Sequence, residues 1–130
     1  MQRPQTVYEE IFAEQKKQFQ ISEDKIETFE SLSAGVFQVR GDISSQFISG
    51  LLFTLPLLPD DSIIKIMPPF ESRSYVNLTL DLLRQFGIET VWLNDNALMI
   101  KGGQTYTACD YTVEGDFSQL AFWGVLAAVN

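Results

Sequence analysis

The chain has no histidine, and its 130 residues include one cysteine, Cys109. Without histidine the usual zinc ligand sets cannot be assembled, and the commonest acid/base near neutral pH is missing. Any proton transfer therefore falls to carboxylates, lysine, tyrosine or water. A lone cysteine excludes an internal disulfide. Positive charge is scarce too: 9 Lys and Arg stand against 17 Asp and Glu, a net charge of −8. With no long basic run, a nucleic-acid partner, which needs clustered cations to displace counterions, is not expected. No apolar run approaches the roughly 20 residues that cross a bilayer. The opening "MQRPQTVYEE" also lacks the charged-then-apolar layout of a secretion signal. The expectation is a cytoplasmic protein with no membrane partner, of a length that suits one domain around one modest core.

What is present alternates between two periodicities. "RPQTVYEEIFAEQKKQF" predicts a helix in which Val7, Ile11 and Phe12 share a face, with Pro4 suited to its first turn. "FQIS" and "IETFE" predict short strands, and "VFQVRG" a third in which Phe37 and Val39 alternate with Gln38 and Arg40. "SSQFISGLLFTLPLL" is too apolar for a surface helix and predicts a buried one that stops near Pro56. "SIIKIMP" is rich in β-branched residues and predicts a strand. "SYVNLTLDLLRQFG" follows as an amphipathic helix with Leu78, Leu82, Leu83 and Phe86 at helical spacing and Gly87 as its stop. "ETVWL", a turn at "NDN" and "ALMIKGG" complete a hairpin. Trp92, Trp123 and most of the phenylalanines are expected in the core.

The end of the chain repeats its middle. "VRGDISSQFISGLL" and "VEGDFSQLAFWGVL" align without a gap at an offset of 115 − 41 = 74 residues. Val39 pairs with Val113, Gly41 with Gly115, Asp42 with Asp116, Ser44 with Ser118 and Gly50 with Gly124. The fold class expected is α/β (α+β), built of βαβαββ units: the end of one at about 1–30, a complete one at about 35–103, and the start of a third at about 108–130. Repeats of this kind bury their faces against neighbours, so the chain reads as a piece of a longer, repetitive protein.

Two polar clusters open helices. Ser44 and Ser45 fall at the first turn after "VFQVRG", and Ser72, Arg73, Ser74 and Tyr75 open the helix after "SIIKIMP". The first amides of a helix lack internal partners and carry partial positive charge, so an anion is bound there with help from adjacent hydroxyls. The plainer alternative is a helix cap at Ser44 or Asp42, and at Glu71 or Ser72. One cap needs one side chain, however, and "SSQ" supplies three polar groups ahead of an apolar helix. In an α/β sheet both helix starts would lie beyond the carboxyl ends of their strands, where ligands collect. An arginine before a helix, as Arg3 is, is by itself most often a surface residue, and Asp116 is by itself equally a cap.

These stretches, with "IKGGQTY" and "YTVEGDFSQLAFW", resemble the 5-enolpyruvylshikimate-3-phosphate synthase family over nearly the whole chain. The resemblance implies an enolpyruvyl transferase of the shikimate pathway, in aromatic amino-acid biosynthesis, that joins phosphoenolpyruvate to shikimate 3-phosphate. The 5-hydroxyl adds to C2 of phosphoenolpyruvate, and the tetrahedral intermediate expels phosphate, with no organic cofactor and no metal. It further implies that Ser44 and Ser45 contact the 3-phosphate with help from Ser72, that Gln46 lies against the ring and that Tyr75 closes the pocket wall. Arg3 would hold phosphoenolpyruvate, its planar fork pairing two oxygens, and Asp116 would support the cleft.

The sister family acting on a UDP-sugar shares the repeat architecture but is not expected to carry the serine–serine–glutamine triplet, and is the weaker match. Intact members are implied to be over three times this length and two-lobed, so this chain corresponds to part of the first lobe and its partner is the remainder of the enzyme. The catalytic residues are implied to lie outside it, and the chain alone is expected to be inactive. A non-catalytic α/β phosphate-binding or assembly module is the alternative, supported by the apolar "FISGLLFTLPLL" and "LAFWGVLAAV". A kinase-like phosphate loop is disfavoured, since "KGGQTY" offers only a glycine pair.

Overall fold

The structure, a computed structural model, describes residues 6–22, 25–42, 44–113, 115 and 124–128. Helix α1 (Thr6–Glu14) leads into an antiparallel pair, β1 (Phe19–Ile21) and β2 (Ile26–Thr28). Strand β3 (Val36–Arg40), helix α2 (Ser45–Thr54), strand β4 (Ser62–Met67), helix α3 (Arg73–Gln85) and the hairpin β5 (Thr90–Asn94) and β6 (Ala97–Ile100) follow. That run is the βαβαββ order expected from the sequence. Its four strands form one sheet in the order β3-β4-β6-β5. β3 and β4 are parallel, and β6 is antiparallel to both β4 and β5, so β5 runs with β3 and β4.

Alternation decides which face of the sheet is covered. Phe37 and Val39 of β3, Ile64 and Ile66 of β4, and Leu98 and Ile100 of β6 point to one side and join a single buried cluster. From α2 that cluster takes Phe47, Ile48, Leu51 and Leu52, and from α3 Val76, Leu80 and Leu83. Both helices therefore lie on the same face, and they are stitched together by a 2.9 Å hydrogen bond between Ser49 Oγ and Thr79 Oγ1. Burying a side chain of this size contributes about 1.5–3 kcal/mol. The apolar stripes thus outweigh the modest β and helix propensities that started each element.

Three expectations need correction. The first helix ends at Glu14 rather than near Phe19, because Lys16 takes a left-handed φ of 54° and the Gln15 side chain is bound to the backbone of Ser33. The buried face of α3 is Val76, Leu80 and Leu83, whereas Leu78 is 52% exposed. Trp92 is half-buried, stacked near Phe70, while Trp123 lies outside the described residues. The stop of α2 is as expected: a 3-10 turn (Leu55–Leu57) carries Pro56. So is Gly87, whose φ of 80° a Cβ would strain.

Candidate functional site

Because β3 and β4 are parallel neighbours in register, with Arg40 opposite Met67, their carboxyl ends lie at one edge of the sheet. The starts of α2 and α3 therefore share that edge. A backbone crossing ties them together. The Gly41 amide donates to the Met67 carbonyl at 2.8 Å, and the Glu71 amide donates to the Gly41 carbonyl at 3.4 Å. Any Cβ at Gly41 would fall 2.5 Å from the Pro69 carbonyl oxygen and 2.9 Å from Phe70 Cα. Only glycine lets the two connections pass so closely.

At the α2 start, Ser44 occupies the cap position in an extended conformation, and its side chain makes no capping bond. Ser44 and Gln46 are exposed and Ser45 half-buried. The first amides of the helix are thus free of side-chain partners, with hydroxyls beside them. At the α3 start Ser72 is also uncapping, and its Oγ is buried without a hydrogen-bond partner among the described residues. A buried hydroxyl left unpaired costs about 1–3 kcal/mol, so a donor or acceptor brought to this position would stabilise the start of α3. Tyr75, one turn along, is 59% exposed. Its carbonyl accepts a 3.0 Å bond from Thr79, which in turn meets Ser49 of α2.

Of the residues read from the sequence, the structure brings Ser44, Ser45, Gln46, Ser72 and Tyr75 to this one edge. Arg3 and Asp116 lie outside the described residues. Among the described residues, the two arginines that flank the helix starts, Arg40 and Arg73, are both committed elsewhere. Arg73 turns to the β5–β6 turn, where Nη1 donates to the Asp95 carbonyl at 3.1 Å and Nη2 to Asp95 Oδ1 at 3.4 Å. Its guanidinium also stacks over Trp92 at 5.1 Å and Phe70 at 5.9 Å. Arg40 forks onto Asp42, with Nε to Oδ1 at 3.1 Å and Nη2 to Oδ2 at 2.6 Å. Hydrogen bonding to Arg40 holds the Asp42 carboxyl below the usual carboxylate range, and the same bond raises the Arg40 guanidinium.

Sequence reasoning missed the roles of Gly41 and of Arg73. Gly41 had a signal in its match to Gly115 across the repeat, but Arg73 had none, because its partners are distant in the chain. A separate groove of about 540 Å³ lies between α1, residues 28–32 and the second half of α2, lined by Tyr8, Phe12, Phe29, Leu32, Leu51 and Thr54 among others. It is mostly apolar and flanks the far end of α2 from the serines. Among the described residues, no helix is long and apolar enough to cross a membrane.

Comparison with known proteins identifies the family. The family profile of EPSP synthase (3-phosphoshikimate 1-carboxyvinyltransferase) matches residues 11–130. A 3-phosphoshikimate 1-carboxyvinyltransferase of Clostridium kluyveri is 45% identical over 132 residues, covering 100% of this chain and 31% of its own length. One of Clostridium perfringens is 50% identical over 123 residues, covering 93% of this chain and 29% of its own length. One of Clostridioides difficile is 46% identical over 123 residues, covering 93% and 28%. The chain thus spans less than a third of the length of these curated relatives. A βαβαββ unit with two polar helix starts meeting at Gly41, matched along 11–130 by one family profile, means that the chain belongs to the EPSP synthase family.

Proposed function

We propose that this chain supplies the shikimate-3-phosphate half-site of an enolpyruvyl transferase that joins phosphoenolpyruvate to shikimate 3-phosphate in the shikimate pathway of the cytoplasm. Ser44 and Ser45 hold the 3-phosphate on the open amides of α2, Ser72 adds its hydroxyl from α3, Gln46 lies along the ring, and Tyr75 walls the pocket. Arg3 holds phosphoenolpyruvate, and Asp116 supports the cleft. The observation that carries this reading is the buried, unpartnered Ser72 Oγ at a helix start that Gly41 ties to the uncapped start of α2. A phosphate oxygen accepting from Ser72 satisfies that hydroxyl, and helix amides supply the positive potential it needs. The chain divides at about 30, 35–103 and 108 into the end of one unit, a whole unit and the start of another.

Turnover requires neutralising two phosphorylated acids at once, by positioned cations and proton donors. Arg40 and Arg73 are engaged by aspartates, so Arg3 is the one arginine this chain offers the substrates, the other cations come from the remainder of the enzyme, its second lobe included, and the chain alone is inactive. No organic cofactor enters the chemistry. Titrating the purified chain with shikimate 3-phosphate in a calorimeter tests the half-site. Weak binding that the Ser44→Ala/Ser45→Ala double variant abolishes is expected. Binding unchanged in that variant, or enolpyruvyl transfer by the chain on its own, would contradict the reading.

A further inference from the structure

An acid stands directly ahead of the anion site. Asp42 lies two residues before the cap residue Ser44, within reach of amides that ordinarily attract an aspartate. A carboxylate tethered that closely acts as an intramolecular ligand at roughly millimolar effective concentration, and it would compete with any phosphate for the same donors. Yet among the described residues no side chain caps α2. Asp42 is instead drawn backward, its two oxygens meeting the Nε and Nη2 of Arg40, with a smaller contribution from its own backbone amide. Glu10 of α1 exerts a weaker attraction on the same guanidinium.

The repeat adds a second observation. At the offset of 115 − 41 = 74 residues, Asp42 becomes Asp116 while Arg40 becomes Glu114. The arginine accompanies only the copy that carries the serine pair.

We infer that Arg40 is a positioning residue for the anion site: it holds the Asp42 carboxylate off the first amides of α2 and so keeps them open to a phosphate ester. This rests on the anion-binding reading of that edge. The device is a bidentate fork, whose fixed geometry a lysine does not reproduce.

The test titrates inorganic phosphate and shikimate 3-phosphate into the chain and follows the backbone amides of Ser45 and Gln46 by NMR. Arg40→Gln should weaken binding about three- to five-fold, the scale of a helix-terminus charge effect. Asp42→Asn should bind as well as the parent chain or better, and Arg40→Gln/Asp42→Asn should return to within about two-fold of it. A readout independent of any ligand accompanies these: in Arg40→Gln alone, the Ser45 and Gln46 amides should shift as the Asp42 carboxyl titrates. Equal losses in both single variants with no recovery in the double would mark an ordinary structural ion pair and overturn the inference. So would amides that ignore the Asp42 titration in Arg40→Gln. Absence of any phosphate response in the parent chain would overturn the anion-site reading, and the amide titration would still decide what Arg40 does.

Discussion

At the start of α2, Ser44 and Gln46 face solvent and no side chain caps the helix, whereas at the start of α3 Ser72 hides an unpaired hydroxyl and Arg73 reaches away to Asp95. The two starts share one edge of the sheet and nearly the same residue types. The first is open, its donors exposed and its neighbouring acid held aside by Arg40. The second is pre-set, its loop fastened on one side by Gly41 and on the other by an arginine stacked over Trp92. The contrast teaches that the amides of a helix start supply potential, while the packing around them decides whether that potential is offered continuously or built in at a cost to stability.

Removing the crossing should break the comparison most severely. Gly41→Val places a side chain against the Pro69 carbonyl, and overpacking of this kind costs about 1–3 kcal/mol. Urea denaturation should report that loss, together with disappearance of phosphate binding, since the two starts no longer meet. Ser72→Ala should separate stability from affinity: removing an unsatisfied buried hydroxyl should leave stability unchanged or raise it by about 1 kcal/mol, while affinity for shikimate 3-phosphate falls. Ser44→Ala should also lower affinity with little effect on stability, because its side chain makes no cap to lose. Thr79→Val removes the bond to Ser49 between the helices and should cost about 1 kcal/mol in denaturant melts, a smaller change felt by both starts alike.

The smallest effect is in pH. Asp42 has a carboxyl held below its ordinary range by Arg40, so the pair stabilises the chain above the unfolded carboxylate pKa, near about 3.9. The contribution should fade as pH falls below that value through the lower folded one. The Arg40 side chain is 66% exposed and that of Asp42 34%, and salt should weaken the pair further. Comparing melts of the parent chain and Asp42→Asn across pH should show a small advantage of the parent above about pH 4 that disappears toward the acid end.

Much of this was legible in the sequence because it follows from period. The alternation in "VFQVR" and the β-branched content of "SIIKIM" pointed to both strands, and the apolar run after Ser45 to a helix buried against them. The glycine after Phe86 marked the end of α3 correctly. The failures share a physical cause, dependence on distant contacts. Nothing local to "EQKKQF" announces that Lys16 will turn left-handed while Gln15 binds Ser33. The leucine spacing in α3 admits two stripes, and only packing into the shared core selects Val76, Leu80 and Leu83 over Leu78. In the site, the serines and Tyr75 were readable from their place before helices. The burial of the Ser72 hydroxyl and the capture of Arg73 by Asp95 were not, since burial is set by tertiary packing and Asp95 lies 22 residues further along the chain, in the β5–β6 turn.

The most direct measurement is a backbone amide map by NMR as shikimate 3-phosphate is added to the chain. Shifts rising together, with one affinity, at residues 44–47 and 71–75 are the expected result. Shifts confined to one helix start, or gathered instead around Tyr8, Phe29 and Leu51 in the apolar groove, would contradict a shared anion site at this edge.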